Sequence, residues 1–140
     1  MAAETSKKVG LPEGERASVA RRIARDVVRC DPAILGLLIM DKDDGSKILA
    51  VERSPSLPDE ERATEEQVKR FGIAAMVVWG AADNASQLMG RKEFVVGAFK
   101  QQMVLIAGLQ EYGLLLAARL TRSANAEHVY SKVASFLGMG

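Results

Sequence analysis

Apolar positions recur at helical spacing over residues 13–30: Val19, Ile23 and Val27 stand four apart, and Ala20, Ala24 and Cys30 widen the stripe. At about 100° per residue, Arg21, Arg22, Arg25 and Arg29 gather on the opposite side. Asp31-Pro32 ends this helix, because proline disfavours helical backbone in the residue before it. Residues 33–40 (AILGLLIM) are continuously apolar and short, the pattern of a strand buried on both faces. Asp41-Lys42-Asp43-Asp44-Gly45-Ser46 predicts a turn, with Asp44-Gly45 as its strongest feature, and residues 47–53 (KILAVER) return as the second strand of a hairpin. Ser54 to Ala63, with Pro55 and Pro58, is a connection. Thr64-Glu65-Glu66-Gln67 matches a capping box and starts a helix that can run to Met89, before Gly90. Strands follow at Glu93–Phe99, Gln102–Leu109 and Tyr112–Leu120, linked by polar pairs short enough only for antiparallel hairpins. Ser123 is the expected N-cap of a last helix that buries Val129, Val133, Phe136 and Leu137 and that Gly138 closes. The order is α-β-β-α-β-β-β-α, an α+β layered domain over residues 13–140 behind a polar tail of residues 1–12.

The helix at 64–89 has more apolar faces than one sheet can cover. Val68, Phe71, Ala75, Val78, Trp79 and Ala82 fall within roughly 100° of one another, an adequate core-facing stripe. Ile73, Met76, Val77 and Gly80 occupy a second arc on the far side. In a domain this small, that arc is expected to meet another chain; a terminal segment of the same chain is the other candidate to cover it. The strand at residues 93–99 (EFVVGAF) is also apolar on both faces and carries no proline or internal lysine. At a sheet edge it would need a cover or a partner strand.

Composition removes several classes of function. Nineteen basic and 18 acidic residues leave a net charge of +1 over 140 residues, without the basic excess of a nucleic-acid binder. One cysteine and one histidine allow neither an intrachain disulfide nor a Cys/His zinc cluster. His128, between Glu127 and Val129, forms no catalytic signature, and Cys30 is expected to be an inert, buried thiol. The glycines build neither GxGxxG nor GxxxxGK[ST], so no phosphate cradle is expected. The acidic run Asp41, Asp43, Asp44 with Gly45 lacks the bidentate glutamate of a calcium loop, since Val51 stands six residues past the glycine. No metal, cofactor or catalytic residue is therefore assigned. The first 12 residues lack the apolar core of a secretion signal, and no apolar run reaches membrane-spanning length, which predicts a cytoplasmic protein without stable membrane insertion.

The hairpin AILGLLIMDKDDGSKILAVERS, the helix TEEQVKRFGIAAMVVWGAADNASQLMG, the strands EFVVGAFKQQMVLIAGLQEYGLLLAARL and the closing helix ANAEHVYSKVASFL stand in an order that resembles the Roadblock/dynein-light-chain family, a profilin-like relative of longin domains. The resemblance spans roughly residues 13–137 and is one of pattern and order. It implies a five-stranded antiparallel sheet ordered 2-1-5-4-3, with the second helix on one face and the first and last on the other. It also implies a homodimer through the second helix and third strand, which would account for the doubly apolar helix and place Ile73, Met76, Val77, Gly80, Phe94 and Val96 at the contact. By the same resemblance the protein is a non-enzymatic scaffold or regulator of a Ras-like small GTPase, or a dynein-light-chain-like adaptor. The Arg-rich first helix and Trp79 depart from the family pattern. Arg21, Arg22, Arg25 and Arg29 could hold an acidic partner or an anionic membrane surface, although such a face is more often simply solvated and Glu13, Glu15 and Asp26 dilute the stripe. A small-molecule sensor is the alternative of another class, because profilin-like layers also hold ligands between sheet and helix. Phe71 and Trp79 would then line the pocket.

Overall fold

The computed structural model describes residues 13–55, 57 and 63–137. The expected tail at residues 1–12 and the closing Gly138 lie outside them. Helix α1 (Glu13–Val27) leads to β1 (Ile34–Asp41) and β2 (Asp44–Arg53); α2 (Glu65–Ala81) and a short α3 (Asp83–Met89) lead to β3 (Phe94–Ala98) and β4 (Gln102–Leu109); a 3-10 turn at Gln110–Tyr112, β5 (Leu114–Thr121) and α4 (Ala126–Phe136) complete the chain. The five strands form one sheet, all neighbouring pairs antiparallel, in the order β2-β1-β5-β4-β3. This is the expected sheet, order included.

Period-2 alternation divides the core in two. On one face Ile34, Leu37, Ile39, Leu105, Leu114, Leu116 and Leu120 pack against Ala20, Ile23, Ala24 and Val27 of α1 and Val129 and Val133 of α4. On the other, Leu38, Met40, Ile106, Leu115 and Ala117 pack against Ala75 and Trp79 of α2. The apolar stretch at 34–41 is thus buried on both sides, as its composition requires.

Local chemistry sets the element ends. The α2 capping box is present: the Thr64 hydroxyl accepts from the Gln67 N–H at 3.1 Å, and Gln67 Oε1 accepts from the Thr64 N–H at 2.8 Å. The β1–β2 turn comes earlier than expected. Asp44 and Gly45 lie inside β2, and Asp41 pairs with Asp44. The Asp41 carboxylate explains the shift, since its Oδ1 accepts from the Asp43 N–H at 2.9 Å and closes a turn of its own. Its Oδ2 takes Arg16 of α1 at 2.8 Å, which ties that helix to the hairpin. The last helix is capped by Asn125, not Ser123: the Asn125 side chain accepts from the His128 N–H. The last strand begins at Leu114, not Tyr112, because Gly113 adopts a left-handed conformation (φ 66°) that ends the preceding 3-10 turn.

Asp31 fixes the corner between α1 and β1 against α4. It is buried; Oδ1 accepts from the Ala33 N–H at 2.7 Å, and Oδ2 lies 3.1 Å from Lys132 Nζ. Burial pushes the carboxyl pKa up, but the Ala33 N–H and Lys132 outweigh it and hold it below its ordinary value. A carboxyl with a depressed native pKa adds stability above its unfolded pKa, and that contribution is lost as pH falls through the native value. Asp31→Asn is therefore expected to lower stability by about 1.5–3 kcal/mol at neutral pH. Urea unfolding of both proteins should show the gap closing as the pH drops through the carboxylate range. A gap independent of pH would contradict this role.

Candidate functional site

Helix α2 lies over β2, β1 and β5. Trp79 reaches further, onto β4. Its ring fills the space above Gly108, where an added Cβ would come within 2.9 Å of Trp79 Cζ2. Lys92 pins the indole from outside, with Nζ 4.0 Å from the ring centroid, donating to the Trp79 carbonyl and 2.6 Å from Asp83 Oδ1. In an unbroken helix the Trp79 carbonyl would serve the N–H of Asp83. With Lys92 on that carbonyl, the expected single helix at 64–89 divides at Ala82 into α2 and α3.

The seating of Trp79 rolls α2 by roughly 40° from the expected orientation, judged from helical geometry. Gly72, Ala75 and Trp79 are buried, and Val68, Phe71 and Met76 are half-buried against the sheet. Val78, expected in the core, is 44% exposed. Ile73 and Val77 are 50% and 64% exposed, and Gly80 is also at the surface. Together with exposed Ala74 and Ala81, they make the outer side of the last two turns of α2 wholly apolar, whereas the first turns carry Glu65, Glu66, Lys69 and Arg70. Leu88 and Met89 of α3 are exposed as well.

Because Trp79 points to β4, the helix side that follows it around the wheel (Met76, Gly80, Ile73) faces the β4–β3 end of the sheet. There Val95 and Val104 are only half-buried. β3 pairs with β4 alone, so its outer edge has no partner strand among the described residues. Phe94 is half-buried on the opposite face, stacked on Tyr130 with ring centroids 4.4 Å apart, and Val96 on the same face is exposed. The structure therefore brings Ile73, Met76, Val77 and Gly80 together on one surface and puts Phe94 and Val96 on the strand beside it, turned to the far side of the sheet.

Arg21, Arg22, Arg25 and Arg29 are all exposed on the outside of α1, far from that surface and across the sheet from α2. Cys30 is half-buried, and burial, followed by the Asp31 charge, pushes its thiol pKa up, so it is protonated and a poor nucleophile at neutral pH. His128 is exposed and contributes its backbone N–H to the α4 cap. Among the described residues no group of three His, Cys, Asp or Glu could hold a metal ion, and no helix is long and apolar enough to cross a membrane.

No family model and no curated protein matches the sequence. Solved structures do. A Roadblock/LC7 domain from Streptomyces avermitilis superposes with a TM-score of 0.63 over 84% of this chain and 91% of its own, at 14% identity. The chain has the Roadblock/LC7 fold. The gliding protein MglB from Thermus thermophilus gives a TM-score of 0.58 at 14% identity, covering 90% of this chain and 91% of its own. An MglB in a tetrameric arrangement gives 0.65 at 15% identity, covering 92% of both chains. The Roadblock/LC7 likeness thus takes in nearly the whole described chain, and at these identities it is a likeness of fold.

Proposed function

We propose that this protein is a non-enzymatic, homodimeric scaffold or regulator that binds a Ras-like small GTPase. The observation that carries the proposal is the apolar outer side of α2, exposed beside a strand edge without a partner among the described residues. Apolar surface of this kind on a small domain marks a protein contact. A second copy is the natural cover: α2 would meet its counterpart through Ile73, Met76, Val77 and Gly80, and β3 would meet β3, joining two sheets and removing both open edges. That a solved MglB of similar fold forms a tetrameric arrangement supports self-association. The GTPase comes from the family resemblance, and the surface spanning two subunits is its docking site because it exists only in the dimer. The exposed arginines of α1 offer that partner, or another acidic protein surface, a second point of attachment.

Tagged protein should recover a small GTPase from native lysate of its source cells. Once the GTPase is purified, calorimetric titration should show about tenfold different affinity for its GTP-analogue and GDP forms, roughly 1.4 kcal/mol of coupling, because GTP orders the switch loops. Equal affinity for the two forms would leave a passive scaffold in place of a nucleotide-sensing regulator. Recovery of no GTPase would overturn the partner assignment.

A further inference from the structure

The outer side of α1 carries charge of one sign. Ala20, Ile23, Ala24 and Val27 are buried against the sheet. At about 100° per residue, Arg21, Arg22 and Arg25 fall within an arc of roughly 100° on the opposite side, pointing away from it. Arg29, in the turn that ends the helix, continues the row. All four are exposed, and among the described residues none of them is in an ion pair. The positions between them on this arc are Gly14 and Ser18, so no acid interrupts it; Glu15 and Asp26 stand at one border.

This arrangement works against the helix itself. Arg21 and Arg25 stand one turn apart, as do Arg25 and Arg29, and like charges at that spacing repel. The helix dipole favours a base in the last turn, which covers Arg25 but neither Arg21 nor Arg22. On α2 the same spacing is used for opposite charges, with Glu66 and Arg70 3.0 Å apart. An unpaired row of one sign is the electrostatic footprint of an anionic surface.

Two features select a lipid surface over a protein. The arc holds no apolar residue, whereas protein contacts are anchored in a desolvated apolar core. The second feature is the dimer proposed above, whose antiparallel β3–β3 contact has its two-fold axis normal to the sheet. Both α1 helices then stand on one side and both α2 helices on the other, so the two arginine rows meet an extended plane of headgroups together. We propose that the outer side of α1 docks the protein on a membrane rich in anionic lipid, with the guanidiniums taking headgroup phosphate and carboxylate oxygens. The contact is peripheral and holds the α2 side away from the lipid. The doubling of the surface rests on the dimer; the surface itself is complete in one chain.

Co-sedimentation of the full chain with vesicles tests the proposal. Vesicles of phosphatidylcholine with about 30% phosphatidylserine should carry the protein down, and vesicles of phosphatidylcholine alone should leave it in solution. Binding should fall at least tenfold between about 0.1 M and about 0.5 M salt, because the screening length roughly halves. Glutamine at positions 21, 22, 25 and 29 together should abolish binding without changing the mass in solution. Arg25→Gln alone should weaken it at least fivefold, from about 1 kcal/mol per basic residue at such a surface, and carries the test should the fourfold variant not fold. Lysine at all four positions should keep most of the binding, since a field of headgroups reads charge and not the geometry of a fork. Ile73→Glu/Val77→Glu should bind more weakly than wild type and still through the arginines. A wild type that is monomeric but binds anionic vesicles through its arginines would remove the doubling and keep the surface. Equal sedimentation with neutral vesicles, or indifference to the arginine changes, would overturn the proposal. So would loss of binding in the all-lysine variant, or poly-glutamate bound as tightly as anionic vesicles at equal charge concentration, because the partner would then be an acidic protein surface.

Discussion

Trp79→Ala is expected to lower folding stability by about 3–5 kcal/mol, the range for truncating a large buried aromatic. The residue is 6% exposed, lies at the centre of the α2-side core, and occupies a hole that only Gly108 leaves open. Alanine there empties the space over β4 and leaves Lys92 without the ring it covers. Phe71→Ala, at a half-buried position, should cost distinctly less. Gly108→Ala attacks the same contact from below and should cost about 1–3 kcal/mol by overpacking. Urea unfolding followed by circular dichroism measures all three. A Trp79→Ala protein within about 0.5 kcal/mol of the parent, the scale of a surface substitution, would mean that the indole does not hold α2 to the sheet.

Ile73→Glu/Val77→Glu is expected to break the dimer while leaving the subunit folded. In the isolated chain both side chains are at least half exposed, so glutamates there remain in water and change stability little. Across a two-fold contact the same carboxylates would be buried against their own copies, unpaired. Leaving a buried charge without its partner costs about 3–5 kcal/mol. By the usual tenfold per 1.4 kcal/mol, that weakens association by at least two orders of magnitude. An unchanged circular dichroism spectrum with halved mass is the expected pair of observations. A double variant that keeps its dimer would move the contact away from this side of α2.

Much of the architecture was legible because alternation at a period of 2 and stripes at 3.6 are local patterns. They located every strand, the two faces of β1 and the Thr64–Gln67 capping box. The features that escaped depend on partners distant in sequence. A helical wheel gives the width of an apolar arc but not its centre, and the ring of Trp79 over Gly108 of β4 turned α2 until Val78 faced water. The break at Ala82 follows from Lys92, which reaches back 13 residues to the Trp79 carbonyl. Ser123 and Asn125 are equally good caps by composition, and the choice between them falls to the path of the chain after β5. The early β1–β2 turn was set by the Asp41 side chain, which competed successfully with Asp44-Gly45. The alignment of Arg53, Gly36 and Arg119 in one cross-strand row was beyond reach of any local pattern, because the register of three strands sets it. The candidate contact surface lay between these cases, with its apolar residues visible in the sequence and its geometry fixed by the roll of α2.

Sedimentation equilibrium of the wild-type protein tests the central claim most directly. A homodimer closed over the outer side of α2 predicts a molar mass twice the 15.1 kDa of the chain, falling to the single-chain value in Ile73→Glu/Val77→Glu. A wild-type protein that sediments as a monomer at concentrations well above micromolar would contradict it.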